Sequence, residues 1–401
     1  MAAFVRISGP PNGNFLFGYP GITSTFPRIE GKVEIRPSIG IDKPVTVSLV
    51  TISLQRVETI HPNAESITKK HLATPRKETR DIIGNEMLLY RCPAGKATEQ
   101  VMAMDLPFII FVPVGRADEV SRKVPAASLR LNNARTAETY YELVCTVEQG
   151  AGTETRHPQP VPLTRHDTLS SFGMYDRPQM KEAHSDHTVR LEVSLARWAY
   201  GPLDPINVFV KLSPNPDWAA RARKVAVKTL TIAIEEVVTY NHEGDEPQRK
   251  AKTIAKQTQA VNGKLPDQGL LTSMGLVFPS RDLRNDEGII PAAKLPMPMY
   301  EVAGFTTVSR LYRIEYFLTV KAVLSSAKDV ELKQPITVCP VDYVTSKRDM
   351  EIIKQCSVDM IGYDPNNPML PAYSIVRPND PAALTILGLT KVGGRRKLLI
   401  E

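Results

Sequence analysis

Residues 45–60, VTVSLVTISLQRVETI, are repeated at 225–240 as VAVKTLTIAIEEVVTY, 180 positions further along. Val45/Val225, Val47/Val227, Thr51/Thr231, Ile52/Ile232, Val57/Val237 and Thr59/Thr239 are identical pairs, and most of the others keep their polarity. A second correspondence lies downstream. Tyr141, Leu143, Cys145 and Val147 alternate with polar residues in TYYELVCTVE (139–148), as Tyr316, Leu318, Val320 and Ala322 do in YRIEYFLTVKAV (312–323). Pro113 and Pro279 are each followed twelve residues later by PAA, at 125–127 and 291–293. The order of segments is kept while the loops vary in length, so the chain reads as two copies of one unit.

Alternation with period two marks strands buried on one face. SSAKD (325–329) supplies turn residues before VELKQPITV, which predicts a hairpin. Within 45–60 the apolar phase slips by one residue, and 225–240 slips at the matching place, predicting a β-bulge near residues 49–50. The 33 prolines among 401 residues exceed the usual share of about 5% and suit loops and strand ends rather than long helices. The fold class is therefore all-β: two tandem immunoglobulin-like β-sandwich domains plus an extended C-terminal tail. The boundaries are 1–172 for the first domain, 173–185 for the connector, 186–345 for the second and 346–401 for the tail. In the tail, a short helix is predicted at 345–357, capped by Thr345 or Ser346. The proline-rich 363–381 reads as extended chain.

The N-terminal MAAFVRISGPPNGNF has no apolar run of signal-peptide length, and no stretch reaches the roughly 18 apolar residues of a membrane span. Cys92, Cys145, Cys339 and Cys356 stand far apart without a CxxC pair, which predicts reduced thiols in a cytoplasmic protein. There is no GxSxG elbow, P-loop or dinucleotide fingerprint. His184 and His187 lack a third metal ligand, and the acids around His242 read as a solvated turn. No catalytic residue, metal site or cofactor is nominated.

The formal net charge of +7 points to acidic partners. Its basic segments are RARK (221–224), QRKAKTIAKQ (248–257) and KVGGRRKLL (391–399). No aromatic residues interleave with them as nucleic-acid platforms require, so nucleic acid is not expected.

LPFIIFVP, VPAASL and YYELVC in the first half, with WAYGPLDPINVFVKL, YRIEYFLTV and QPITVCPVD in the second, resemble the arrestin fold. GYPGITSTFPRIEGKVEIRP, SPNPDW and YNHEGDEPQRK are similar to fungal α-arrestins, the arrestin-related trafficking adaptors, of the low-dye-binding type. The resemblance covers about residues 4–345 and implies an adaptor that binds cytosolic segments of plasma-membrane nutrient transporters, such as amino-acid transporters. It also implies recruitment of a HECT-type ubiquitin ligase through WW domains, followed by endocytosis. The ligase motif would be Leu370-Pro371-Ala372-Tyr373, in which leucine replaces the first proline of a PPxY pattern. The resemblance further implies an acidic-cargo surface drawn from Arg221, Arg223, Lys224, Arg249, Lys250, Lys252 and Lys256, which anionic membrane lipid would share. The expected location is the cytoplasm, with peripheral recruitment to plasma membrane, endosome or Golgi. The alternative is a retromer-like sorting subunit with no ligase contact.

Overall fold

The structure is a computed structural model and describes residues 3–10, 15–38, 43–62, 77–113, 126–131, 135–150, 152–163, 177–241, 246–279, 304–380, 389–392 and 395–398. The PAA segment at 291–293, Pro125, the 172/173 boundary and His242 lie outside them.

The first half contributes β1 (Ala3–Ser8), β2 (Arg28–Pro37), β3 (Leu49–Pro62), β4 (Lys77–Arg91), β5 (Ala103–Phe111), β6 (Arg135–Glu148) and β7 (Glu154–Val161). The second half contributes β8 (Gln179–Ser185), β9 (Val189–Leu195), β10 (Pro205–Pro214), β11 (Ala226–Tyr240), β12 (Gln248–Lys264), β13 (Leu270–Val277), β14 (Tyr312–Ser325) and β15 (Val330–Val338). Helix α1 (Tyr343–Asp359) and strand β16 (Ser374–Val376) follow.

The duplication is visible in the strand orders. One sheet of the first half runs β7-β6-β3-β4, and one sheet of the second runs β15-β14-β11-β12 along the corresponding strands. The facing sheets run β1-β2-β5 and β9-β10-β13, extended by β16 in the first case and β8 in the second. The fold is all-β, built of sandwiches. Register confirms the equivalence residue by residue. Tyr141 lies opposite Arg56, and Tyr316 lies opposite Glu236, the position 180 residues after Arg56. Both tyrosines are buried, at 2% and 1% exposure.

The phase slip is also shared. Val45 and Val47 point inward, Ser48 breaks the strand, and burial resumes at Val50, Ile52 and Leu54. In the second copy the ladder shifts between Val227 and Thr229, so Lys228 takes the place of Ser48. The extra residue sits at position 48, one before the expected 49–50. It lets Val45–Val47 pair with Glu99–Val101 while β3 pairs with β4 and β6.

Each sandwich has its own apolar core. In the first, Ile29, Val33, Leu106 and Phe108 of one sheet meet Ile52, Leu54, Tyr141 and Leu143 of the other. In the second, Leu191, Val193, Val208 and Val210 meet Ile232, Ile314, Leu318 and Val320. Ile60, Leu129, Leu131 and Ala137 of the first half belong to the second core, so the halves share apolar packing at their junction.

Helix α1 forms close to the predicted 345–357, but its cap differs. The Asp342 side chain accepts from the Thr345 N–H at 2.8 Å, so the carboxylate rather than the Thr345 or Ser346 hydroxyl satisfies the free first-turn donor. The extended tail also docks on the first sandwich. β16, the Ser-Ile-Val stretch between Pro371 and Pro378, adds to the edge of β5, pairing Ser374 with Asp105 and Val376 with Ala103.

Candidate interaction surfaces

The tail is pinned at both ends. Its beginning is held by the second sandwich: the Asp204 carboxylate accepts from the Tyr343 N–H at 3.1 Å, and the Arg197 guanidinium stacks 4.5 Å from the Tyr343 ring. Its further course lies on the first sandwich. Ile353 is buried against Ile22, Ser357 bonds Ser24 at 2.9 Å, and the Arg28 guanidinium lies 4.6 Å from the Tyr363 ring centre. Beyond β16, Arg377 Nε donates to Glu99 Oε1 at 2.8 Å, and Tyr90 also donates to Glu99. The Arg377 bond first, with that of Tyr90, holds the Glu99 carboxyl below its usual range.

Between these pins runs Leu370–Tyr373. All four residues are exposed, Tyr373 at 71%. Leu370, Pro371 and Ala372 form one wall of a groove of about 650 Å³ over the outer face of β1, β2 and β5, whose floor includes Ser8, Lys32 and Pro107. The predicted WW-binding side chains are therefore presented together beside a docked strand.

The seven cationic positions do not form one patch. Arg221, Arg223 and Lys224 lead into the end of β11 where Ala226 pairs with Lys264. Arg249, Lys250 and Lys252 lie near the other end, opposite Thr239, Val238 and Glu236. At about 3.3 Å per residue, the twelve residues from Ala226 to Val238 separate the clusters by about 40 Å. The length of β11 and β12, 15 and 17 residues, is the cause. Lys256 falls between, opposite Ala233. Arg223 pairs with Asp267 at 3.5 Å, while Arg249, Lys250 and Lys256 have no ion pair to a described residue.

A third site escaped the sequence reading. At the junction of the halves, Arg56 and Glu58 of β3 are each 1% exposed, and their Nε and Oε1 atoms are 3.1 Å apart. Arg56 Nη2 also meets Asp81 Oδ2 at 2.8 Å. From the second sandwich, the Arg310 N–H donates to Glu58 Oε2 at 2.9 Å and its guanidinium meets Asp81 at 2.8 Å. Thr139 and Tyr312 hydroxyls bond at 2.8 Å beside them. Burial pushes the Glu58 carboxyl above its ordinary range, against the pull of Arg56. The signal was present: Arg56 and Glu58 share the inward phase of Ile52 and Leu54, so two charges were written into the core face.

Among the described residues no group of three or more His, Cys, Asp or Glu side chains could hold a metal ion, and no helix is long and apolar enough to cross a membrane. Cys145 and Cys339 are buried thiols not joined in a disulfide, and burial pushes Cys145 up to about 12.

Residues 185–343 match the arrestin (or S-antigen) C-terminal domain family. Together with the strand orders, this makes the second sandwich arrestin-like. No curated protein matches the chain.

Proposed function

We propose that this protein is a cargo adaptor that binds cytosolic segments of plasma-membrane nutrient transporters and brings a HECT-type ubiquitin ligase to them through WW domains. The observation that carries the reading is the exposure of Leu370, Pro371 and Tyr373 on a tail anchored to both sandwiches. A WW domain takes a proline between aromatic rings and a tyrosine in a neighbouring pocket, and both side chains are available here. The basic end of β12 supplies attraction for acidic cargo, and the separate Arg221–Lys224 cluster supplies attraction for anionic lipid. Such a protein would work in the cytoplasm and move peripherally to plasma membrane, endosome or Golgi.

The test is a pulldown of the full chain with isolated WW domains of a HECT ligase. Retention that is lost in Tyr373→Ala supports ligase recruitment. Absence of retention, or retention unchanged by the substitution, rejects it and leaves a retromer-like sorting subunit. The same preparation, applied to immobilised acidic transporter tails, tests the cargo half independently.

A further inference from the structure

We propose that the open edge of β12, from Gln248 to Lys256, takes up an acidic, extended protein segment as an additional strand of the sheet. This rests on the acidic-cargo reading above and specifies how such a segment is held.

The edge exists because the two sandwich sheets end unequally. β12 is the last strand of its sheet. It has 17 residues, whereas the neighbouring edge strand β13 has 8. β13 reaches β12 only at its C-terminal half, where Gln257 Oε1 accepts from the Gly275 N–H at 3.1 Å and Thr272 bonds Gln259 at 3.4 Å. From Gln248 to Lys256 no strand lies along the outer edge among the described residues. That is about 30 Å of strand in which alternate residues turn an N–H and a C=O outward. A peptide added there gains main-chain hydrogen bonds whatever its sequence.

The strand is fixed to the core while its edge stays available. Ile254 is buried and sits at a register shift, opposite the step from Ile234 to Glu235, so one apolar side chain anchors an otherwise solvent-facing segment. Residues 248–253 are all exposed.

Charge then selects the occupant. Lys250 and Lys252 lie on one face of β12, in register with Val238 and Glu236; Arg249 and Lys256 lie on the other, in register with Thr239 and Ala233. An added strand would meet a cation on either side of the sheet, so acidic residues of either parity find a partner within cross-strand reach. Lysines on an edge discourage pairing with neutral strands, and two such edges repel each other. A second copy of this chain is therefore a poor occupant, and an acidic strand is a good one.

The experiment uses the full chain and a short fluorescein-labelled peptide of alternating Glu and Thr, read by fluorescence anisotropy at low salt. Two further peptides carry backbone N-methyl groups on alternate residues, one set on each edge of the extended peptide, with charge unchanged. We expect the parent peptide to bind and to protect alternate amides of Gln248–Lys256 from hydrogen exchange. N-methylation of one edge should abolish binding and that of the other should leave it. Lys250→Glu/Lys252→Glu, both exposed, should weaken binding about tenfold or more. Equal binding of both methylated peptides overturns strand addition while leaving acidic cargo intact. Binding that ignores the double substitution places the site elsewhere on the chain and overturns the assignment to β12. No binding of the parent peptide overturns the acidic-cargo reading itself, and this proposal with it.

Discussion

Removing Arg56 should destabilise the first sandwich far more than removing an exposed arginine. Its guanidinium is 1% exposed and lies against Glu58 at 3.1 Å and Asp81 at 2.8 Å. Arg56→Met fills much of the same volume but strands Glu58, itself 1% exposed, without its opposite charge. Breaking a buried pair by deleting one partner costs about 3–5 kcal/mol, because the remaining charge stays desolvated. Arg56→Met/Glu58→Gln removes both charges, while an amide oxygen still accepts the Arg310 N–H; the double variant should recover more than half of the loss. Urea titration followed by far-ultraviolet dichroism gives the midpoints, with the slope checked for constancy. The sign with pH is fixed too. Glu58 already has a raised carboxyl pKa from burial, and loss of Arg56 removes an interaction that lowers it. In the single variant the folded state then takes up a proton before the unfolded chain does, so its deficit should shrink as pH falls from neutral toward the ordinary carboxyl value of 4.5. A single-variant loss below about 1 kcal/mol, or a double variant no better than the single, refutes the buried-pair argument.

Truncation of Tyr141 or Tyr316 to Ala should each cost about 3–5 kcal/mol in denaturant titration, since both rings are packed at equivalent positions of the duplicated strand. Arg377→Ala should loosen β16 and raise hydrogen exchange at Met102, whose N–H donates to the Val376 carbonyl at 2.7 Å, without shifting the global midpoint by more than about 1 kcal/mol. Because Glu99 is held below its usual carboxyl range, its contribution to the tail contact is complete above about pH 4.5 and is lost as pH falls through its depressed folded value; exchange at Met102 measured across that range checks the direction. Iodoacetamide should label the half-buried Cys92 long before Cys145, whose thiol is buried and pushed up to about 12.

What the sequence disclosed and what it withheld divide along the range of the contacts involved. The duplicated strands were legible because period-two alternation and a shared slip at Ser48 and Lys228 are written locally, twice, and the copies check each other. The candidate residues stand out by type, since a proline and tyrosine in an extended tail and a run of lysines on a strand need no partner to be noticed. Their arrangement was not. Whether Lys224 and Lys250 share a surface depends on how far β11 runs before it turns, and a strand of 15 residues puts them about 40 Å apart. The course of the tail was hidden for the same reason: Arg28 meets Tyr363, and Glu99 meets Arg377, across more than two hundred residues of chain.

Those two pins also give the tail a mechanical meaning. α1 starts on the second sandwich at Asp204 and Arg197 and crosses to Ile22 and Ser24 of the first. The same halves are joined directly by Arg310 reaching Glu58 and Asp81. Two independent ties, one buried and ionic, one a helix held by apolar and aromatic contacts, therefore oppose relative motion of the halves. A partner that grips Leu370–Tyr373 pulls on the segment next to β16, which is held by three paired residues, the burial of Val376 against Met102 and Ala103, and the Arg377–Glu99 contact. The buried ionic tie lies apart from that segment and keeps its own partners when β16 yields. Partner binding at the tail is thus expected to cost the short β16 pairing rather than the junction, and the basic edge of β12 keeps its geometry throughout.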